Sequence, residues 1–249
     1  MNNFGITGFV RRLWQSLRER SGSADAAVTP GHFAVAELPA LLARRDPLIL
    51  EIGANDGTHT RAFLDLFPQA RVHAFEPDAR ARARFVARDD PRVQLHAAAV
   101  GARDGVTAFY PSDGAPNAES AARMPEGWDL SGSIRPPKAH LAAHPWCRFG
   151  AAIEVPLVRL DSWARAHGVD AVDFIWADVQ GAERELIEGG RETLARTRYF
   201  YTEYSDHELY EGQPTLAELL RLLPGFEVVK RFRDRYQGDV LLRNRRPAG

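Results

Sequence analysis

Cysteine is almost absent from this chain, since Cys147 is the single one among 249 residues. One cysteine excludes an internal disulfide and any zinc site built from several cysteines. Because disulfides persist mainly in oxidising compartments, this scarcity favours a protein of the reducing cytoplasm. Hydrophobic residues make up 45% of the chain, which is enough for a full apolar core.

Long hydrophobic runs and a charge excess of either sign are also missing. No stretch approaches the ~20 apolar residues of a membrane-spanning helix, and we expect no signal peptide because an apolar signal segment is lacking. The formal net charge is −1, so we expect no general nucleic-acid-binding surface. Length and composition fit one α/β enzyme domain with appendages.

The N-terminal residues 4–20 combine apolar side chains at helical spacing with interspersed arginines. They predict an amphipathic helix that lies on a membrane surface or, as we favour, covers one end of the sheet or contacts a second copy in a homo-oligomer. Residues 21–31, SGSADAAVTPG, predict a linker. The predicted division is therefore helix plus linker over 1–31 and a main domain over 32–249.

The main domain alternates short apolar strands with helices. Residues 48–52, 71–75 and 92–97 predict strands, with helices at 58–67 and 78–88 between them. This alternation favours a parallel sheet covered on both faces. A preceding helix is predicted over 34–45, and a later one starts at a cap provided by Asp161 or Ser162. Further strands are predicted at 153–158, 172–177, 198–202, 226–231 and 238–243.

Residues 48–57 read LILEIGANDG and predict a strand, a tight turn and the start of a helix. Glycine lets the backbone turn sharply and lie close to a ligand. About 20 residues further on, the next strand ends in Glu76, where a carboxylate suits the two hydroxyls of a ribose. After the third strand, small residues such as Ala98 allow either an adenine ring or a closely packed helix.

The negative charge of the turn limits the kinds of ligand that it can bind. A dinucleotide-binding turn, G-x-G-x-x-G, brings bare amides against a pyrophosphate, which Glu51 and Asp56 would repel. S-adenosylmethionine fits instead, because it carries positive charge and a ribose but no phosphate. An ordinary βα turn without a ligand is the alternative. The predicted cofactor-binding residues are Glu51, Gly53, Asn55, Asp56, Gly57, Glu76, Pro77, Ala98 and Asp178.

The alternation fails over residues 110–152, which are rich in Pro, Gly, Ser, Trp and His. A loop of this length in a compact domain predicts a lid or a binding insertion. Trp128, Trp146 and Phe149 suit stacking on sugar rings or anchoring of the loop. His140 and His144 have the spacing of a zinc-binding pair, but HLAAH lacks the intervening Glu and no third ligand is evident.

Four acids stand at or near the ends of predicted strands: Glu51, Glu76, Asp178 and Glu203. Ligands of open parallel sheets bind beyond the carboxyl ends of the strands. A buried carboxylate without a partner is costly, so four at one edge predict a site. The alternative is that one or two of them cap a helix or pair with arginine.

Several of these segments together resemble the FkbM family of methyltransferases over roughly residues 48–205. They are EIGANDG (51–57), HAFEPD (73–78), AAAVG (97–101), SGS (131–133), RLDSW (159–163) and WADVQGAE (176–183). The resemblance implies a class I, Rossmann-like fold: a seven-stranded, mostly parallel sheet with its last strand antiparallel, helices on both faces and a substrate-side insertion. It also implies S-adenosylmethionine as methyl donor and a hydroxyl of a sugar, glycan or macrolide natural product as acceptor.

The resemblance assigns the donor-binding turn to Glu51, Gly53, Asn55 and Gly57, and the ribose contact to Glu76. Asp178 and Glu183 match a DVEGAE-type motif in which Gln180 replaces the more usual Glu. Because that replacement removes a charge, we assign Gln180 no catalytic role.

Methyl transfer to oxygen requires alignment of the reacting atoms and a base for the hydroxyl proton. Asp178 is the first candidate, followed by Glu203 and His207, with His140 and His144 behind them. A magnesium ion held by Asp178 and Glu203 is an alternative, although no metal site is predicted. Two other functions stay open: an NAD-dependent oxidoreductase and a non-catalytic glycan-binding module on the same fold.

Overall fold

The computed structural model describes residues 28–29, 33–233 and 236–247. In this part of the chain the strands are β1 (Val28–Thr29), β2 (Leu48–Ile52), β3 (Arg71–Phe75), β4 (Val93–His96), β5 (Ala99–Gly101), β6 (Gly105–Phe109), β7 (Ser112–Gly114), β8 (Cys147–Phe149), β9 (Ile153–Arg159), β10 (Val172–Ala177), β11 (Thr197–Tyr204), β12 (Phe226–Phe232) and β13 (Gly238–Asn244). The helices are α1 (Leu38–Leu42), α2 (Thr58–Leu66), α3 (Ala79–Ala83), α4 (Ala118–Arg123), α5 (His140–Ala143), α6 (Leu160–Ala166), α7 (Glu183–Gly189), α8 (Arg191–Ala195) and α9 (Leu216–Leu222), and a 3₁₀ turn spans Val35–Glu37.

The main sheet has the strand order β1-β12-β13-β11-β10-β2-β3-β4. Strand β13 is antiparallel to β11 and β12, and the other neighbouring pairs are parallel. Without β1 this is the predicted seven-stranded sheet with an antiparallel last strand. From β2 the chain adds β3 and β4 on one side of the sheet, and β10 then pairs with β2 on the other side. The strand order therefore reverses between β2 and β10, and such a topological switch point leaves a crevice at the carboxyl ends of the strands.

The central strands are buried along their whole length, as expected for a parallel sheet with two covered faces. Side chains of a strand alternate between faces. Ile49 and Trp176 therefore pack in one apolar cluster, while Leu50 and Ile175 pack in the other. This double packing positions the ends of β2 and β10 beside each other.

Some predicted elements differ from the structure. Strand β9 pairs with β5 and β6 in a separate three-stranded sheet instead of joining the main one. The predicted helices over 34–45 and 78–88 are shorter, since a left-handed residue, Ala43, ends α1 and Arg84 ends α3. Val28 and Thr29, placed in the predicted linker, pair with β12.

The predicted cap of α6 is wrong. The helix starts after Arg159, which makes no side-chain cap. Asp161 instead accepts hydrogen bonds from the backbone N–H and the hydroxyl of Thr193, both at 2.9 Å, and so stabilises the first turn of α8. A carboxylate in one helix thus serves the amides of another, which sequence spacing does not reveal.

The insertion over 110–152 contains two short helices, α4 and α5, and the antiparallel pair β7–β8. One isolated β-bridge, between Tyr110 and Ser133, joins two parts of the insertion. A second, between Pro137 and Tyr210, joins the insertion to the loop after β11. The predicted amphipathic segment 4–20, with its membrane or oligomer contact, lies outside the described residues. Within the described residues no helix has both the length and the apolar character needed to cross a membrane.

Candidate active site

A cavity of about 610 Å³, counting the part open to solvent, lies at the carboxyl ends of β2, β3 and β10. The core strands and turns contribute one wall, and the insertion contributes the other. Its polar and small lining residues are Gly53, Asn55, Glu76, Pro77, Ala98, Asp129, Gly132, Ser133, Asp178 and Gln180. The structure therefore places the predicted ligand site at the switch point of the sheet.

The turn after β2 has a backbone that excludes most side chains. Gly53 has a φ of 84°, and a Cβ at this position would lie 1.9 Å from the carbonyl oxygen of Asp178. Glycine is required because the ends of β2 and β10 approach each other here, so the first obstacle to a side chain is protein backbone rather than a ligand. Asn55 is also left-handed, at φ 47°.

Glu76 links this turn to the end of β3. Its two carboxylate oxygens accept hydrogen bonds from the backbone N–H of Asn55 (2.8 Å) and of Asp78 (2.7 Å). Burial raises the pKa of Glu76 to about 7. The carboxylate lines the cavity in a fixed orientation and retains lone pairs for hydroxyl donors.

The insertion contributes Asp129, which the sequence had not indicated. This aspartate is only 5% exposed and pairs with Arg84. It also accepts a 3.2 Å hydrogen bond from the side-chain amide of Asn55. Its contact with the turn closes the cavity on the insertion side, and the sequence signals near it were Trp128 directly before it and the SGS segment that starts at Ser131.

At the opposite side, Gln180 joins two of the predicted catalytic acids. Its side-chain nitrogen donates to Asp178 (2.6 Å) and to Glu203 (3.2 Å). Its oxygen lies 2.9 Å from the hydroxyl of the buried Tyr210. We call Asp178, Gln180 and Glu203 the acidic group. Gln180, to which we assigned no catalytic role, fixes the positions of both carboxylates.

Burial shifts the ionisation of both acids in this group. It raises the pKa of Asp178 to about 6, against the opposing effect of the Gln180 hydrogen bond. Burial and the neighbouring charge of Asp178 raise the pKa of Glu203 well above its ordinary value. Two nearby carboxylates disfavour a second charge, so the charge of Asp178 opposes the ionisation of Glu203.

The sequence matches the methyltransferase FkbM domain family over residues 51–236. The chain belongs to the FkbM methyltransferase family. A relative from Sinorhizobium fredii (strain NBRC 101917 / NGR234), the 2-O-methyltransferase NoeI, is 49% identical over 210 residues, which cover 84% of each protein. The predicted family and the predicted enzyme class, a methyltransferase, are confirmed. The alternative of an NAD-dependent oxidoreductase is therefore rejected.

Solved structures with a similar arrangement include Aeropyrum pernix fibrillarin in complex with S-adenosylmethionine, with a TM-score of 0.45 and 16% identity. That match covers 84% of this chain and 72% of fibrillarin. The N-terminal domain of EvdMO1, with S-adenosylhomocysteine and D-fucose, has a TM-score of 0.45 and 11% identity. It covers 96% of this chain and 97% of that domain.

The cavity of this FkbM protein suits the cofactor of its enzyme class, S-adenosylmethionine. Glu76, Asp129 and Asp178 line it, and no lysine or arginine is among its described lining residues. Such a surface favours a cationic ligand without phosphate. Pro77 and Ala98, whose side chains are small or rigid, also line the cavity.

Three predicted donor-binding residues lie outside the cavity lining. Glu51 is fully buried within β2, where one carboxylate oxygen contacts the Thr60 hydroxyl and the other has no hydrogen-bond partner. Burial raises its pKa to about 8. Asp56 accepts hydrogen bonds from the N–H and hydroxyl of Thr58, and Gly57 is the N-cap of α2. Both acids, Glu51 and Asp56, therefore accept hydrogen bonds from threonines of α2.

The predicted catalytic histidines are also outside the cavity lining. His207 is exposed, and its ring lies 5.8 Å from that of Tyr236. His140 is buried with Nδ1 unpartnered, and burial lowers its pKa to about 4. His144 lies 4.8 Å from His140, centroid to centroid. Within the described residues, no three His, Cys, Asp or Glu side chains are grouped to hold a metal ion.

Proposed function

We propose that this protein transfers the methyl group of S-adenosylmethionine to a hydroxyl of a sugar-containing acceptor. The observation that carries the proposal is the cavity that has the fixed carboxylate of Glu76 on one side and the Asp178 carboxylate on the other. Because the relative NoeI is named a 2-O-methyltransferase, the sugar 2-hydroxyl is the first position to test.

The donor is held by residues of the core strands and turns. Glu76 would accept hydrogen bonds from the ribose hydroxyls, Pro77 and Ala98 would contact the adenine, and Gly53 and Asp178 would adjoin the amino-acid end. When bound, S-adenosylmethionine supplies a methyl carbon that its sulfonium makes electrophilic. The acidic lining stabilises that positive charge through the low-dielectric interior.

Asp178 removes the proton of the acceptor hydroxyl. A pKa of about 6 makes it ionised at neutral pH and yet a better base than an ordinary aspartate. Gln180 keeps the carboxylate in place through the 2.6 Å hydrogen bond. On transfer the acceptor oxygen would gain the methyl carbon as the carbon–sulfur bond of the donor breaks, and the bonding electron pair would stay on sulfur to give S-adenosylhomocysteine. The hydroxyl proton would pass to Asp178 and then to solvent.

A transfer screen tests this function. The protein is incubated with methyl-labelled S-adenosylmethionine and a panel of methyl glycosides, oligosaccharides and macrolides, and the products are identified by mass spectrometry and NMR. We expect a methyl ether on a sugar hydroxyl. Transfer only to nitrogen, sulfur or carbon acceptors would overturn the proposal, and so would binding of the donor with transfer to none of the panel.

The reaction takes place in the cytoplasm in this proposal. Cys147 is buried and free, as suits a reducing compartment. Fractionation of cells that express the full chain tests this placement, with and without residues 4–20. Recovery of the full chain in the membrane fraction, and of the shortened chain in the soluble fraction, would instead support the predicted membrane contact.

A further inference from the structure

A row of five aromatic rings lies beside the acidic group. Trp128 is 5.0 Å from Trp146, centroid to centroid, and Trp146 is 5.7 Å from His144. Tyr236 lies 6.0 Å from His144 and 5.8 Å from His207. The interplanar angles of these contacts are 83°, 65°, 75° and 71°. We call these five residues the aromatic row.

The aromatic row does not belong to the core. His207 is exposed, and the other four rings are half-buried. The apolar clusters on the two faces of the main sheet include none of these five described residues. Half-buried Trp and Tyr rings keep part of their apolar surface available to a ligand, and the indole N–H of Trp128 is held by a 3.0 Å hydrogen bond to the hydroxyl of Ser131.

Two members of the row, Trp128 and Tyr236, are next in sequence to residues of the site. Trp128 directly precedes Asp129, which lines the cavity. Tyr236 directly precedes Gln237, whose side chain donates a 3.3 Å hydrogen bond to Glu203. The row therefore connects two segments of the site: Trp128 belongs to the insertion segment that supplies the cavity residue Asp129, and Tyr236 belongs to the segment whose Gln237 contacts Glu203.

The chemistry of the row suits carbohydrate. Sugars have apolar C–H faces and polar hydroxyl edges, so ring faces bearing N–H and O–H groups match both. An exposed ion pair between Asp206 and Arg233, at 3.1 Å, adds planar hydrogen-bonding groups next to His207. A polyanion is disfavoured because phosphate binding requires neutralisation by cationic groups, whereas Arg233 is already paired with Asp206 and Lys138 with Glu208.

We infer that the aromatic row binds the sugar units that adjoin the methylated one, so that the acceptor is an oligosaccharide rather than a free monosaccharide. The inference rests on the proposed transfer to a sugar hydroxyl. It gives the insertion a defined role: Trp128, His144 and Trp146 recognise the acceptor chain, and Tyr236 and His207 extend that surface from the body of the protein.

Direct binding provides the first test. The full-length protein with bound S-adenosylhomocysteine is applied to a glycan array, as wild type and as Trp146→Ala and Tyr236→Ala. The control is Leu141→Ala, because Leu141 is 49% exposed on α5 and lies outside the row. We expect both row variants to lose affinity for the glycans that wild type retains by about 10-fold, and the control to bind as wild type does.

Calorimetry with S-adenosylhomocysteine checks that each variant still folds and binds the donor product. Kinetics then compare an oligosaccharide that is methylated with the methyl glycoside of its reacting sugar. We expect KM for the oligosaccharide to rise about 10-fold in the row variants, with kcat and the kinetics of the monosaccharide unchanged.

The outcomes separate this inference from the proposed function. Wild type that retains no glycan, or row variants that match wild type, would overturn the inference. An equal loss with the monosaccharide and the oligosaccharide would also overturn it, because the row would then contact the reacting sugar alone. Retained glycan binding without transfer to any sugar would leave the row in place and refute the proposed function.

Discussion

The proposed contact of Glu76 with the donor ribose can be tested with one substitution. In Glu76→Ala, the backbone N–H groups of Asn55 and Asp78 lose their acceptor, and the proposed ribose contact is removed with them. We expect affinity for S-adenosylhomocysteine to fall by about 1–3 kcal/mol in calorimetry, the cost of hydrogen bonds to a charged group. Glu126→Ala is the control, because Glu126 is exposed and lies outside the cavity lining. Unchanged affinity in a folded Glu76→Ala would refute the ribose contact.

A substitution of Asp178 tests its proposed role as the general base. We expect Asp178→Asn to lower kcat by about 100-fold or more, the size of a lost general base. Little stability should be lost, since α7 has no side-chain cap for Asp178 to provide. With a pKa of about 6, wild-type activity should fall below about pH 6 as the base becomes protonated.

That acidic limb of the pH–rate profile should vanish in Asp178→Asn. A retained limb with near-normal turnover would move the role of base to Glu203. If added EDTA stopped the wild type, a metal-assisted mechanism would replace general-base catalysis by Asp178.

The buried side chain of Glu51 makes the free energy of unfolding depend on pH. Burial raises its pKa to about 8 in the folded protein, above its unfolded value of about 4.3. The folded state then favours the neutral acid, so this contribution is fully present below about pH 4.3 and is lost as pH rises towards 8. We expect Glu51→Gln to raise Tm at pH 8 relative to wild type, by about 2–4 °C for each kcal/mol.

The comparison is made by calorimetric melting from pH 5 to pH 8. The gap between wild type and Glu51→Gln should widen as pH rises. A gap that narrows with rising pH would show that the buried carboxylate is ionised in the folded protein.

At the scale of elements, the insertion divides into two functional parts. The sequence predicts the insertion as a lid or binding segment, but its second half is also part of the cavity wall: Asp129, Leu130, Gly132, Ser133 and Ile134 line the cavity, and Asp129 contacts Asn55. We therefore expect a replacement of residues 115–145 by a short linker to weaken donor binding as well as transfer.

A shorter replacement, of residues 115–126 by a Gly-Ser linker, removes α4 and none of the residues that line the cavity. We expect its affinity for S-adenosylhomocysteine in calorimetry to stay within about 2-fold of wild type, a difference of less than ~0.5 kcal/mol. A large loss in this variant would show that α4 supports the cavity wall.

For the whole molecule, donor binding should stabilise the fold by mass action. At 100 times its Kd, S-adenosylhomocysteine should add about 2.7 kcal/mol to the free energy of unfolding, which corresponds to a rise in Tm of roughly 5–11 °C for a domain of this size. NAD at the same concentration should leave Tm unchanged. An equal rise with NAD would contradict the selectivity of the acidic cavity.

Local sequence determined the central architecture. Apolar strands that precede a glycine turn and a helix fold alike in many contexts, so β2, β3 and β10 were predicted within a residue of their observed bounds. The number of strands and the antiparallel last strand followed from the family resemblance, because a short chain segment contains no information about its neighbour in the sheet. Glu76, the predicted ribose contact, was placed at the cavity for a local reason: it follows the end of a strand.

Tertiary structure alone decided which acids face the ligand. Glu51 and Asp56 look like binding residues in the sequence, but Thr60 and Thr58 on α2 take their hydrogen bonds. Asp129 reaches the cavity only because the insertion folds back onto Asn55.

Gln180 likewise gains its role only where the turn after β10 meets the end of β11 at Glu203. Contacts between residues far apart in the chain set burial and partners, and burial and partners set the charge of a carboxylate. The sequence by itself therefore determined the fold and the class of chemistry, and the packing of distant segments decided which side chains are placed to perform it.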